Sequence, residues 1–442
     1  MNFPEGQDKR ESIYERNGML KKDVLVVGGG ISGITSAIEI GETGYQALIL
    51  DKNPYLGGRV VQLNKYFPKL CPPACGVEIN LRRMRANPNI SFLTLAEVEE
   101  IKEKGNGFNV AIRINPRYVK DNCTGCGECV SLCPVEREDD FNLSLNKTKA
   151  IHLPYNQAFP LRYVIDDKVC SRCGECVSAC KYSAIELDMQ PKTIEIEVSS
   201  IIWATGWKPY EAEKIENLGF GRIKNVITNM MMERIASFNG PTQGKITRPS
   251  DGKPPERIAF VQCAGSRDEN HLPYCSYICC MASLKQITYI KEQNPNAEIY
   301  LFYIDIRTPG IFYERFYNKI EDEKNVHLIK GKVGKISEDK TGDVILEAED
   351  VEVGSKVKVK VDMAVLAVGM QPSIKGVRSQ GSGVRGQDGM GIFSCNNDGF
   401  IIHSSLKKGV YAAGVAENPM DVTRATRKAT SSAMKAIQWI RR

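Results

Sequence analysis

Eight of the 15 cysteines of this chain fall into two runs of the same spacing: Cys123, Cys126, Cys129 and Cys133, followed by Pro134, and then Cys170, Cys173, Cys176 and Cys180. Both runs read C-x2-C-x2-C-x3-C, the spacing that holds 4Fe–4S clusters in two-cluster electron carriers. Short x2 loops wrap three thiolates around one face of a cubane, and the fourth cysteine points at the other cluster. Cys123, Cys126, Cys129 and Cys180 are therefore assigned to one cluster, and Cys170, Cys173, Cys176 and Cys133 to the second. The glycines of CTGCGEC and CSRCGEC let the backbone approach and donate N–H groups to sulfide. Zinc ribbons use paired C-x2-C knuckles, without the third cysteine at x2 and the fourth at x3, so zinc is the poorer reading. Lys181 stands where the second run would often carry proline, and the following KYSAIELD is expected to form the strand that closes the repeat.

A second chemistry lies upstream. Val24–Val27 is an apolar run of strand length that meets Gly28-x-Gly30-x-x-Gly33. A helical stretch follows (Ile34, Ala37, Ile38), then a second strand, Ala47–Leu50, ending at Asp51. This is a full βαβ dinucleotide fingerprint with its acid. Gly28 makes the turn, Gly30 admits the pyrophosphate, Gly33 lets helix pack on strand, and Asp51 accepts from the adenosine ribose. The helix N-terminus stabilises the phosphates. Ser32, Lys52 and Val98 complete the contacts expected from this lobe. Three further segments resemble those of FAD-binding proteins with two dinucleotide domains. They are Gly57-Gly58-Arg59, Ile201–Gly206 (IIWATG, with Ala204, Thr205 and Gly206), and Gly409–Gly414 (GVYAAG), where Val415 replaces the usual aspartate. In this order around one fingerprint they imply FAD.

Other cysteines form two tight groups: Cys71 and Cys75 in KLCPPACG, and Cys263 with Cys275, Cys279 and Cys280 of YCSYICC. Singly, each would read as a small buried thiol. Grouped, they predict an additional, third cluster of non-ferredoxin spacing, with a flavin-adjacent redox disulfide as the competing chemistry. Cys275 and Cys279 are expected one helical turn apart on one face, and Cys71 and Cys75 near the flavin. Cys395 stands alone. His271, the histidine nearest the second group, reads as a polar residue and not as a ligand. Where a nicotinamide site would want G-x-G-x-x-G after Val261, the chain offers Gln262-Cys263-Ala264-Gly265. That substitution predicts a sheet domain without NAD(P)H. No catalytic triad, phosphate-binding Walker loop or paired catalytic carboxylate stands out.

The elements that must position these groups are legible from the rest. At 442 residues the chain exceeds one hydrophobic core, and 42% apolar with 25% charged residues is ordinary for a globular protein. The formal charge of +6 is spread without a long basic block, so nucleic acid is not an expected partner. No apolar run reaches membrane-spanning length and the start has no secretion signal, so any route to a membrane is expected through partners. The odd cysteine count suits a reducing compartment. The expected fold is α/β, with two Rossmann-like dinucleotide-binding domains as in thioredoxin-reductase-like flavoproteins and an inserted 2x(4Fe-4S) ferredoxin domain. The expected division is a polar tail at 1–20, FAD lobe at 21–115, ferredoxin insert at 116–190, FAD lobe and linker at 191–256, second Rossmann-like domain at 257–365, and closing FAD part at 366–442. The aromatic stretch LFYIDIRTPGIFYERFY is expected to be a strand and following segment with a partly exposed face.

With flavin lobe, inserted ferredoxin and YCSYICC in this order, the chain resembles the heterodisulfide reductase A-subunit family over essentially residues 20–442. The stretches KNPYLGGRVVQLNKYFPKLCPPACG, IIWATGWKPY and FVQCAGSRDENHLPYCSYICCMASLKQ resemble its quinone-interacting, membrane-bound oxidoreductase branch. Two differences from longer family members point the same way: no extra N-terminal cluster domain and no C-terminal ferredoxin are expected. The resemblance implies an electron-transferring FAD and iron–sulfur subunit on the cytoplasmic membrane surface. Its implied partners are adenylylsulfate reductase, a second flavin/iron–sulfur subunit, and a membrane haem subunit, with electrons exchanged with the menaquinone pool. A bifurcating heterodisulfide reductase-type complex and a self-contained NAD(P)H oxidoreductase are the alternatives.

Overall fold

The structure, a computed structural model, describes residues 20–67, 70–374 and 391–442. The polar tail expected at 1–20 lies outside the described residues except for Leu20, as does 375–390 of the closing part. Seven strands form the flavin-lobe sheet. Its order is Ile90–Thr94, Ala47–Asp51, Leu20–Val27, Lys192–Trp203, Gly107–Ile114 and Ala96–Lys104, with Val410–Ala412 also pairing Lys192–Trp203. The first four strands are parallel and the last two join antiparallel. Val24, Leu25 and Val26 are fully buried, as a strand covered on both faces requires.

One face of that sheet is layered by the helices Ile31–Glu42, Pro73–Ala86 and Val422–Ile440. The last of these packs Ala429, Ala433 and Ala436 against the first, and such small side chains allow close approach. Asp421 caps it by accepting from the Arg424 N–H at 2.8 Å.

The cluster-bearing segment is spliced into a hairpin. Ile114 and Lys192 face each other in register, so the chain leaves the sheet and returns at neighbouring positions. Within the insert, strands run two or three residues, and KYSAIELD makes only an isolated bridge, Ile185 to Val119, where a strand was expected. The insert is tied down by Arg117, which donates to the Pro54 carbonyl at 2.6 Å and the Thr94 hydroxyl at 2.7 Å. Gln62 donates to the Phe141 carbonyl at 3.0 Å. Fully buried Arg234 reaches Asn142 of the insert and the Gln62 carbonyl of the flavin lobe.

A second sheet is wholly parallel, in the order Val226–Thr228, Met363–Val368, Arg257–Ala264, Glu298–Tyr303 and Val326–Lys330. A three-stranded antiparallel sheet from Val333 to Val361 covers one face, and the helices Asn229–Ala236 and Cys279–Gln293 cover the other. The aromatic stretch becomes the strand Glu298–Tyr303 and the helix Ile311–Glu321. No helix among the described residues is long and apolar enough to cross a membrane.

Candidate functional site

The glycine loop obeys close-approach constraints. A Cβ on Gly28, whose φ is +113°, would stand 2.3 Å from the Ala204 carbonyl oxygen, and one on Gly33 would stand 1.8 Å from the Gly28 carbonyl oxygen. Both contacts are to backbone, so neither can yield. Gly30 differs: its Cβ would meet nothing nearer than the Gly58 Cα at 3.8 Å. Protein packing therefore does not demand a glycine there, and the space in front of Gly30 is open. The helix Ile31–Glu42 starts at this point with no side-chain cap and no acid in its first turn, leaving its N–H groups free for phosphate. Asp51 accepts from the Gly29 N–H at 2.8 Å, the Asn53 N–H at 2.8 Å and the Asn53 amide at 2.9 Å.

These groups open onto a cavity of about 1310 Å³. Gly28, Gly30, Ser32, Asp51, Lys52, Gly58, Arg59, Val98, Ala204, Thr205, Gly206 and Val415 line it. Gly33 and Gly414 stand behind the lining, the latter backed onto the Ser32 hydroxyl. The cavity suits a flavin dinucleotide on grounds beyond size. Buried Trp203 Nε1, Thr205 Oγ1, Tyr277 OH and Gln286 Oε1 lack a hydrogen-bond partner, and all four residues line it. Buried polar atoms in native proteins are satisfied, so four orphans around one cavity ask for a ligand carrying both donors and acceptors.

Sequence reasoning missed the far wall. Glu233 and Lys285, with side chains 2% and 5% exposed, form an ion pair of 3.0 Å that lines the same cavity. Glu233 also accepts from Gln286 at 2.7 Å and from the Tyr289 hydroxyl at 3.2 Å. Lys285 sits six residues after Cys279 in an amphipathic helix, where nothing distinguishes it from a surface lysine; only its burial does. Phe141 and His152 of the insert line the cavity as well, so the flavin site and the cluster module share a wall. Burial lowers the His152 imidazole below its ordinary value, which favours the neutral ring.

In the insert, Gly127 and Gly174 take φ of +90° and +83° immediately before the helical turns Glu128–Ser131 and Glu175–Ala179. Cys129 and Cys176 are buried while Cys126 and Cys173 are exposed, matching the sequence duplication. Burial and the neighbouring Cys123 push the Cys129 thiol up to about 12. Cys176 is raised by burial and by Cys170, Cys173 and Cys133, which places Cys133 of the first run beside the second. Thiolates crowded in this way need a compensating cation, which iron supplies. Backbone N–H groups already address the sulfurs, from Arg172 to Cys170 at 3.4 Å and from Ala184 to Cys180 at 3.3 Å.

The six remaining candidate ligands divide. Burial first, and then cysteine neighbours, push up the thiols of Cys263, Cys279 and Cys280; Cys275 is among the neighbours of all three, so the four stand together. Cys275 and Cys279 do not share a helix face as expected. The helix begins only at Cys279, because Tyr277 takes a φ of +69° between them. The Tyr277 N–H points at Cys275 Sγ at 3.4 Å, the same two-residue geometry that Arg172 (φ +54°) makes with Cys170. Cys71 and Cys75 stand apart, beside Tyr66. Tyr66 and Phe67 line the cavity and these two cysteines do not. Among the described residues no three His, Cys, Asp or Glu side chains meet closely enough to hold a single metal ion, and this is true of the ferredoxin runs too. A cubane keeps its thiolates farther apart than a lone tetrahedral ion does.

The comparisons with known proteins agree with this geometry. The family of FAD dependent oxidoreductases matches residues 23–67 and the 4Fe-4S binding domain matches 116–136 and 163–186. The chain is 38% identical over 423 residues to the A-subunit of the H(2):CoB-CoM heterodisulfide,ferredoxin reductase of Methanothermobacter thermautotrophicus, covering 93% of this chain and 63% of that one. It is 38% identical over 440 residues to the iron-sulfur A-subunit of the CoB--CoM heterodisulfide reductase of Methanocaldococcus jannaschii, covering 96% and 65%. The chain thus spans just under two thirds of the relatives' length. Among solved structures, thioredoxin reductases of T. acidophilum and Lactococcus lactis each superpose with a TM-score of 0.50, at 14% and 13% identity. They cover 95% of this chain and 98% and 99% of their own, a likeness of fold. FAD and two 4Fe–4S clusters are the cofactors of this chain.

Proposed function

For a chain that belongs to the heterodisulfide reductase A-subunit family, we propose the role of a two-electron to one-electron junction in a larger complex. The observation that carries this reading is the shared wall: the cavity bounded by Gly28 and Thr205 of the flavin lobe is closed by Phe141 and His152 of the cluster insert. FAD exchanges electron pairs and 4Fe–4S clusters exchange single electrons. This chain's residues bind and orient the dinucleotide through the glycine loop and Asp51, and hold the clusters through the two cysteine runs, with Cys133 and Cys180 crossing between them. The boundaries drawn from the sequence for lobe, insert, second domain and closing part belong to this reading.

The partners are a membrane haem subunit plus a second flavin/iron–sulfur subunit, and the complex links the menaquinone pool to adenylylsulfate reductase at the cytoplasmic face of the membrane. The long sequence stretches shared with the quinone-linked branch support it. Mixing the purified complex with a menaquinol analogue should reduce the flavin, and adenylylsulfate reductase supplied with adenylylsulfate as the oxidant should reoxidise it. Flavin bleaching of the isolated chain by NADPH alone would refute the proposal. The names of the relatives support a second reading, a heterodisulfide reductase-type bifurcating complex, which predicts reoxidation by a heterodisulfide in place of adenylylsulfate reductase.

The second domain carries cysteines where a nicotinamide nucleotide would bind. Its strand Arg257–Ala264 leads to a long loop and then to a helix whose first residues are Cys279 and Cys280. We assign Cys263, Cys275, Cys279 and Cys280 to a third cluster, leaving Cys71 and Cys75 out of it. Anaerobic analysis of the chain should return about twelve irons per FAD, falling to about eight in a Cys263→Ser variant, at four irons per cluster. About eight in the unmodified chain removes the third cluster.

Asp51 gives a pH prediction. Burial pushes its carboxyl up to about 6, against the hydrogen bonds from Asn53 and Gly29 that pull it down. A raised carboxyl favours the folded chain at low pH, and that contribution is lost as pH rises from about 4 through about 6. FAD binding has the opposite sign, because a ribose hydroxyl donates to the carboxylate and not to the acid. The affinity for FAD should be level above about pH 7 and weaken below about 6, by at most tenfold per pH unit. Flavin fluorescence titrations check this, and Asp51→Asn should bind weakly at every pH.

A further inference from the structure

The helix Val422–Ile440 and the two residues after it carry Arg424, Arg427, Lys428, Lys435, Arg441 and Arg442 and no carboxylate. These six account for the chain's whole formal excess of +6, so basic and acidic residues balance elsewhere. Separated by one to seven residues, they escape notice as a run, but the helix brings most of them to one side. Arg424, Arg427, Lys435, Arg441 and Arg442 are exposed, whereas Ala425, Ala429, Ala433 and Ala436 face the protein. Among the described residues the only ion pair along the stripe is Lys428 with Glu417. Arg424 lies over the Tyr277 ring and Arg441 over that of Tyr45.

A second observation lies at the start of the stripe. Tyr313 neighbours Asp421, Thr423, Arg424 and Arg427, and it belongs to the helix Ile311–Glu321, whose first residues, Ile311 and Phe312, are 60% and 72% exposed. Adjacent in sequence and both open, these two side chains form a small apolar patch beside the basic stripe.

We propose that this face is a docking surface for an anionic lipid bilayer. Several cations of one sign along a helix suit a plane of negative headgroups, and one aliphatic and one aromatic side chain at its end suit entry into the interface. An acidic protein partner would be met by a desolvated aromatic or Arg anchor in a shaped pocket, whereas most of these cations stand exposed along one open helix face. Because the helix's apolar stripe is committed to the protein core, it cannot roll into the bilayer. Attachment is electrostatic, shallow and salt-sensitive. This inference rests on the stripe and the exposed pair, not on the identity of any partner subunit.

The test is co-sedimentation of the full FAD-loaded chain with vesicles of phosphatidylcholine, with and without a quarter phosphatidylglycerol, at low and high salt. Binding is expected only with the anionic lipid and to be lost at high salt. Arg427→Glu/Lys435→Glu/Arg442→Glu should weaken it at least tenfold with the flavin absorbance unchanged. Lys335→Glu/Lys340→Glu/Lys356→Glu, which alters net charge equally but lies on the three-stranded sheet, should bind nearly as the unmodified chain does. Phe312→Ser should weaken binding severalfold. No binding by the unmodified chain, or equal loss in both triple variants, overturns the proposal. The first outcome leaves an acidic protein as the occupant, and the second leaves net charge alone.

Discussion

Gly30→Val should yield a folded chain that has lost FAD. Gly30 takes φ of −79° and ψ of −173°, an extended conformation that valine accepts, and its Cβ would find open space. The structural cost is therefore that of a poor helix N-cap, about 1 kcal/mol. The same side chain would fill the approach to the helix N-terminus, where a pyrophosphate gathers the free N–H groups. Losing that contact should weaken FAD binding at least a hundredfold, ~3 kcal/mol. Gly33→Val makes the contrast, since its Cβ would overlap the Gly28 carbonyl and the βαβ unit could not pack. Flavin content beside circular dichroism separates the two: no flavin with native structure for Gly30→Val, and loss of both for Gly33→Val. Retention of FAD by Gly30→Val would place the phosphates elsewhere.

Lys285→Met should be the most destabilising single change on the far wall. It strands Glu233 in a site where both side chains are almost fully withdrawn from water. Leaving one buried charge unpaired costs ~3–5 kcal/mol, although the intact pair adds little net stability. The sign of the remedy follows. Adding Glu233→Gln to Lys285→Met should recover a good part of the loss, because it removes the stranded charge and keeps an acceptor for the Tyr289 hydroxyl. Thermal unfolding of the three chains tests this. Removing a buried cation from the cavity wall should also lower the reduction potential of bound FAD, because electrons added there lose a nearby positive charge. An unchanged potential would place the flavin ring away from Lys285.

Lys285 and Asp51 show how differently two cavity residues announce themselves. Asp51 is readable because it ends a strand at a fixed distance from a glycine pattern, and the βαβ unit is local. Lys285 is not, because its role arises from the meeting of the second domain with the flavin lobe, where it also donates to the Lys65 carbonyl at 2.5 Å. The same division holds for the cysteines. The ferredoxin runs are local loops, and their spacing alone carries the chemistry. The group at Cys263–Cys280 is assembled by a strand end, a left-handed turn at Tyr277 and a helix start. Reading Cys275 and Cys279 as one helix face was reasonable from spacing and wrong about the backbone. A membrane route through partners alone followed from hydropathy, and the basic stripe, which hydropathy does not register, is the ground for the direct surface contact proposed above.

Residue spacing over short segments thus settled the cofactors: the dinucleotide loop and the two cluster loops are set by neighbours in the chain, where sterics and coordination geometry leave few options. Tertiary structure alone decided that the cluster insert walls part of the cavity in the flavin lobe and that Glu233 and Lys285 are withdrawn from water. Each of these depends on which helix faces and loop ends come together across the fold, and burial and electrostatic neighbourhood are properties of that packing, not of sequence distance.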